Sequence, residues 1–271
     1  MVMGEQEQRE GAMQYAFFAA LIWMLSMALP CMADPSLTPA DLRYLSEDYR
    51  PYNYKEYHES KGLVTDFLFA MLKNMGVEEQ PIDFLPWPRA YEMAVQGSAT
   101  VLFSTIRTPK RESLFKWVGP VLTTSVVLIG LDNFDKKISS LEDTSGLRIG
   151  VIKGYAEISL LQSHKDELYI DILNSAEIAM DKLLAGRLDL VFFDRIAFEY
   201  IAKTKHIPAN RFRVVYQQPP WGVYFALSRS LPDSLVERMQ IACDSVRNSP
   251  MYSTILKQYL GETTIYTQPA P

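Results

Sequence analysis

Two cysteines and three histidines in 271 residues leave little room for several kinds of chemistry. Cys31 sits in an apolar N-terminal run expected to be removed, so Cys243 would remain alone and no intrachain disulfide could form. His58, His164 and His206 are isolated, and no HExxH, paired CxxC, GxSxG, GxGxxG or P-loop pattern occurs. Metal and nucleotide chemistry therefore lack support, and no cofactor is expected. The basic residues form no run and the net charge is -5, which argues against nucleic acid and against a polybasic membrane patch. Low-complexity tracts and 20-to-50-residue repeats are also missing. What is present is a globular balance of 48% hydrophobic and 22% charged residues, enough for a sizeable core.

Residues 15–29 are almost uninterruptedly apolar, a length short of the roughly 20 residues that span a bilayer. Cys31 and Ala33 suit the minus-three and minus-one positions of a signal-peptidase site, so 1–33 is expected to be a signal peptide and the protein periplasmic. Glu5, Glu7 and Glu10 against one Arg9 depart from the usual basic start, and Met13 is an alternative initiator. Cys243 falls in the spacing Leu235, Met239, Ala242, Val246, which marks a buried helix position.

From residue 41 onward, short apolar runs alternate with amphipathic segments, the rhythm of βαβ units and a mostly parallel sheet. Leu63, Phe67, Leu68, Met71, Leu72 and Met75 recur at helical spacing before Gly76. A second α/β series follows the polar stretch 132–146, and two amphipathic helices, 233–248 and 251–260, close the chain. The pattern alone leaves open whether these are consecutive domains or one lobe interrupted by another.

Five segments stand in register: YLSEDYRPYNYKEYHESKG (44–62), LPWPRAYEMAVQG (85–97), FSTIRTPKRESLFKWVGP (103–120), LRIGVIKGYAE (147–157) and AGRLDLVFFD (185–194). In order and spacing the chain resembles the extracellular solute-binding proteins of family 3, the polar-amino-acid group of type II periplasmic binding proteins. The resemblance implies two α/β lobes joined by two crossover strands, with a ligand cleft between them. Lobe one would be 34–125 plus 221–271 and lobe two 126–220, with crossovers at 124–130 and 221–227. It further implies a monomer that captures a small zwitterionic ligand, an amino acid or derivative, for an ABC-transporter permease, without catalysis. The alternatives are a cyclohexadienyl dehydratase on the same fold, using a cleft acid of raised pKa, and a ligand-sensing module for a separate membrane receptor.

A buried zwitterion needs a fixed cation and a fixed anion. Arg111 matches the family's carboxylate-binding arginine, three residues after Thr108, which would open a helix whose N–H groups face the same anion; Arg107 is the second guanidinium in the segment. A solvated charge at a helix start is the alternative for both. Asp194, beyond the strand LDLVFF, matches the acidic partner of the ligand ammonium, with a helix N-cap as its alternative role. Ser104 matches a position that contacts the amino group. Tyr49 and Trp87 match the aromatic walls, and either could instead be core. Gly154, Tyr155 and Ala156 depart from the family at a position that commonly carries a hydroxyl residue for the carboxylate, leaving backbone N–H or the Tyr155 hydroxyl to serve.

Overall fold

A computed structural model describes residues 37–161 and 168–261. The expected signal segment, with Cys31 and its cleavage site, lies outside the described residues.

Among the described residues a short 3-10 turn (Pro39–Asp41) leads into β1 (Arg43–Ser46), then a hairpin of β2 (Tyr54–Glu56) and β3 (Glu59–Lys61) that the sequence pattern does not reveal. Gly62 precedes α1 (Leu63–Asn74) at φ 127, and a Cβ there would lie 2.4 Å from the Tyr52 carbonyl oxygen, so only glycine fits. The helix buries Leu63, Phe67, Leu68, Met71 and Leu72 of the stripe read from the sequence and adds Val64, while Met75 is the half-buried C-cap. Each such side chain contributes roughly 1.5–3 kcal/mol on burial. Next come β4 (Ile82–Phe84), α2 (Trp87–Gln96), β5 (Thr100–Ile106), the single turn α3 (Pro109–Glu112) and β6 (Phe115–Thr124).

After Ser125 the chain enters a second set: β7 (Val126–Leu131), β8 (Arg148–Ile152), α4 (Ala156–Leu161), β9 (Tyr169–Leu173), α5 (Ala176–Leu184), β10 (Leu190–Asp194), α6 (Arg195–Thr204) and β11 (Phe212–Gln217). It then returns through β12 (Trp221–Ser228), α7 (Asp233–Arg247) and α8 (Pro250–Leu260).

Two five-stranded sheets result, in the orders β4-β1-β5-β12-β6 and β11-β7-β10-β8-β9. The expectation of a mostly parallel sheet needs correcting. In the first sheet β1 pairs in parallel with β4 and β5, but β12 runs antiparallel to both β5 and β6; the second sheet pairs β8 in parallel with β9 and β10, while β7 is antiparallel to β10 and β11. The antiparallel pairs all involve strands next to the two passages between sheets, where the chain enters the ladder without a βαβ crossover. The passages lie side by side: Trp221 pairs with Thr124, and the Gln218 N–H donates to the Val126 carbonyl.

Helix α7 packs on β6 and α1, α2 on β5 and β12, and α5 and α6 on the second sheet. Cys243 is a free thiol, fully buried in α7, as its spacing predicts. Among the described residues no helix is long and apolar enough to cross a membrane.

Candidate functional site

The carboxyl ends of β1, β5, β8 and β10 converge on one region, where ligands of open α/β sheets collect. In β5 a bulge aims the side chain there. Leu102 pairs with Ala226 and Thr105 with Tyr224, so Phe103 and Ser104 together face Phe225. Ser104 takes the left-handed conformation, φ 57, and its hydroxyl donates to the Asn53 side-chain carbonyl.

Ser104 thereby lines a small chamber of about 40 Å³, together with Glu47, Tyr49, Trp87, Ile106, Arg111, Tyr155 and Glu157. Arg111 enters from α3, donating to the Ile106 carbonyl at 3.0 Å, with its guanidinium carbon 5.2 Å from the Trp87 ring and 5.3 Å from the Tyr91 ring. Among the described residues no ion pair holds it. Burial draws its pKa below the ordinary value, against the opposing pull of Tyr91, Glu157 and Glu47; an arginine stays charged regardless.

Two acids share the chamber. Burial raises the Glu47 carboxyl to about 8 and the Glu157 carboxyl to about 7, each also pushed up by another carboxylate and drawn down by Arg111. Neither acid is singled out in the sequence reading, although each stands inside a quoted segment, Glu47 at the end of β1 and Glu157 in GYAE.

Asp194 is nearby but engaged elsewhere. It caps α6, its Oδ1 accepting from the Ala197 N–H at 2.8 Å and from the Tyr52 hydroxyl at 2.9 Å, while Oδ2 accepts from the Thr124 hydroxyl. The N-cap alternative is thus the role the geometry displays, extended into a latch between β10 and residues on the first-sheet side. Burial raises this carboxyl to about 6, with the Thr124 and Tyr52 hydroxyls and the Ala197 and Ile196 N–H groups holding it back.

Arg107 turns outward and forms a two-pronged pair with Glu112, at 2.7 and 2.5 Å, beside Trp117 and Tyr224. It does not join Arg111 in the chamber. Thr108 precedes α3 without a side-chain cap, and its carbonyl accepts the Arg111 and Glu112 N–H groups, so those two N–H groups are already used.

Trp87 and Tyr155 form the partition. The Trp87 indole N–H donates to the Gly154 carbonyl at 3.0 Å, joining α2 to the loop after β8. Gly154 has φ 82, and a Cβ there would lie 3.3 Å from Trp87, so the approach depends on glycine. The Tyr155 ring stacks on Phe193 at 6.1 Å and meets Tyr49 and Trp87 edge-on at 5.5 and 6.3 Å, while its hydroxyl faces Glu47. Ala156 begins α4 beyond it. Trp87 and Tyr155 line two larger cavities as well. One, of about 730 Å³, also has Glu47, Asp48, Arg50, Lys153, Glu177 and Tyr200 in its wall. The other, of about 520 Å³, is bounded by Tyr91, Thr108, Lys110, Arg111, Leu160 and Trp221 among others.

Against known proteins, the family model of bacterial extracellular solute-binding proteins, family 3, matches residues 44–262. The chain belongs to that family. Solved structures with this type II binding-protein fold include an ancestral arginine-binding protein bound to arginine, 20% identical with a TM-score of 0.70, covering 81% of this chain and 98% of that one. An ancestral amino acid-binding protein described as a precursor of cyclohexadienyl dehydratase is 20% identical, TM-score 0.68, over 80% of this chain and 94% of that one. A histidine kinase sensor domain with similarity to periplasmic binding proteins is 17% identical, TM-score 0.71, over 84% and 98%. A search of the curated proteins found no match. At these identities the solved structures speak to the solute-binding fold alone.

Proposed function

We propose that this solute-binding protein captures an amino-acid-like zwitterion in the chamber around Arg111 and carries it in the periplasm to an ABC-transporter permease, its N-terminal segment 1–33 serving as signal peptide. The observation that carries this reading is a half-buried guanidinium, flanked by two aromatic faces and two carboxyls, that no carboxylate of the described chain pairs with. A planar fork in that setting suits a ligand carboxylate. Glu157 and Glu47, as they ionise, supply the anion for the ammonium, with Ser104 beside them; Asp194 serves from behind, holding Tyr52 and Thr124. Tyr49, Trp87 and Tyr155 supply apolar wall.

The two sheets would belong to two lobes, 34–125 with 221–271 and 126–220, that close by bending where the chain passes between them. Closure is stabilised to the extent that the ligand prefers the closed form. A thermal-shift screen against free amino acids tests the reading, because a ligand bound only by the folded protein raises its melting temperature. Absence of any stabilisation by carboxylate-bearing amines would overturn it.

A second reading draws support from one feature. Carboxyls held at about 7 and about 8 beside a cation have the profile of a general acid. Turnover of prephenate by the purified protein would favour the dehydratase; stabilisation without turnover favours binding alone.

A further inference from the structure

We infer that the cleft takes a ligand longer than one amino acid, a short peptide or similarly extended zwitterion, whose carboxylate end sits at Arg111 and whose other end passes Tyr155 into the 730 Å³ cavity. The inference rests on the solute-binding reading and adds the guest's size and the chemistry of its far end.

The chamber itself is about 40 Å³, room for a water molecule or a small head group. The Tyr155 ring narrows it: packed on Phe193 behind, it meets Tyr49 and Trp87, which line the chamber with it. A ligand bearing both an α-carboxylate and a sizeable body must therefore extend beyond it. The 730 Å³ cavity adjoins the chamber through four shared side chains, Glu47, Tyr49, Trp87 and Tyr155, and its volume is within the range of roughly 300–1,000 Å³ that houses whole small ligands.

Its far wall carries both signs of charge. Arg50 is engaged with Asp48 and Glu56, at 3.5 and 3.6 Å, and lies over the Tyr54 ring. Lys153 and Glu177 line the same cavity, and neither forms an ion pair within the described chain. Glu177 stands in the first turn of α5 and acts on both Asp48 and Tyr155. A terminal ammonium thus meets Glu177 and Asp48, and a polar or anionic side group meets Lys153. The 520 Å³ cavity, whose charged lining is Lys110 and Arg111, offers no such partner for a cation.

Isothermal titration of the whole protein with glycine, leucine and lysine, then with glycylglycine and trialanine, provides the test. Peptides are expected to bind at least about tenfold more tightly than any of the single amino acids. E177Q should lower peptide affinity by about threefold to tenfold and leave amino-acid affinity unchanged; K153M is the companion variant, and both positions are exposed, so folding is not at stake. Single amino acids binding as tightly as peptides, with E177Q and K153M both silent, would overturn the extended-ligand inference while leaving the solute-binding reading intact. Loss of that reading has a separate signature: every affinity unchanged in R111A.

Discussion

Arg107 and Arg111 stand four positions apart, and the surroundings of the two diverge completely. On the rim, Arg107 is half-exposed and matched prong for prong by Glu112. Inside, Arg111 rests between aromatic faces with acids in view but none in contact. The rim pair is complete within the chain, whereas no carboxylate of the described residues pairs with the guanidinium in the chamber. Spacing alone did not separate them, because both arginines occupy one short segment; the difference arises from the turn at α3, which sends one side chain toward β12 and the other toward α2.

The largest effect that distinguishes rim from chamber is expected from R111A. Removing a charged partner of a buried ligand carboxylate costs about 1.5–3 kcal/mol, roughly tenfold to more than a hundredfold in affinity by calorimetry. R111K should recover little, since an ammonium cannot present the planar fork. Unchanged affinity in R111A would erase the contrast between the two arginines.

Next is the acid behind the chamber. D194N replaces an acceptor that serves three donors, and is expected to lower unfolding free energy by about 1–3 kcal/mol in urea titration. Stability equal to that of the parent protein would mean that the latch contributes nothing.

The interior should also respond to pH where the rim does not. Glu47, Glu157 and Asp194 have folded pKa values raised above their unfolded ones, so their contribution to stability is complete below about pH 4 and is lost as pH rises through about 6, 7 and 8. The melting temperature of the unliganded protein should accordingly fall across that window, and the double variant E47Q/E157Q should flatten the slope. Affinity for a zwitterion runs the opposite way, strengthening as these acids ionise. A slope that the double variant leaves unaltered would remove the acids from the account.

The smallest effect belongs to R107A. An exposed pair is worth about 0–1 kcal/mol, and ligand affinity should not change. A large loss of binding in R107A would place the rim inside the site after all.

Much of the fold could be read in the sequence, because its signals are local and repeated. The α1 stripe, the buried spacing around Cys243 and the strand LDLVFF each depend on periodicity within a few residues. The antiparallel return of β12 could not be read that way, since strand direction depends on where a distant chain passage delivers it. In the site, Arg111, Ser104, Tyr49, Trp87 and Tyr155 were singled out and do line one chamber. Glu47 and Glu157 were overlooked because carboxylates beside turns are ordinary on surfaces, and only burial marks them out. Asp194 was singled out for contact with ligand, yet what its oxygens meet depends on Tyr52 and Thr124, which are 142 and 70 residues away in sequence.

The indole bond from Trp87 to Gly154 gives the protein a built-in optical gauge. Trp117 turns its ring N–H toward Glu112, beside its own strand, but Trp87 reaches across to the loop after β8. Any separation of those two elements transfers that indole from a protein carbonyl to water, so its emission should move to longer wavelength without an attached dye. Were guest release to part those two elements, the unlabelled molecule would report it in real time through Trp87, with W221F as the variant that isolates its signal.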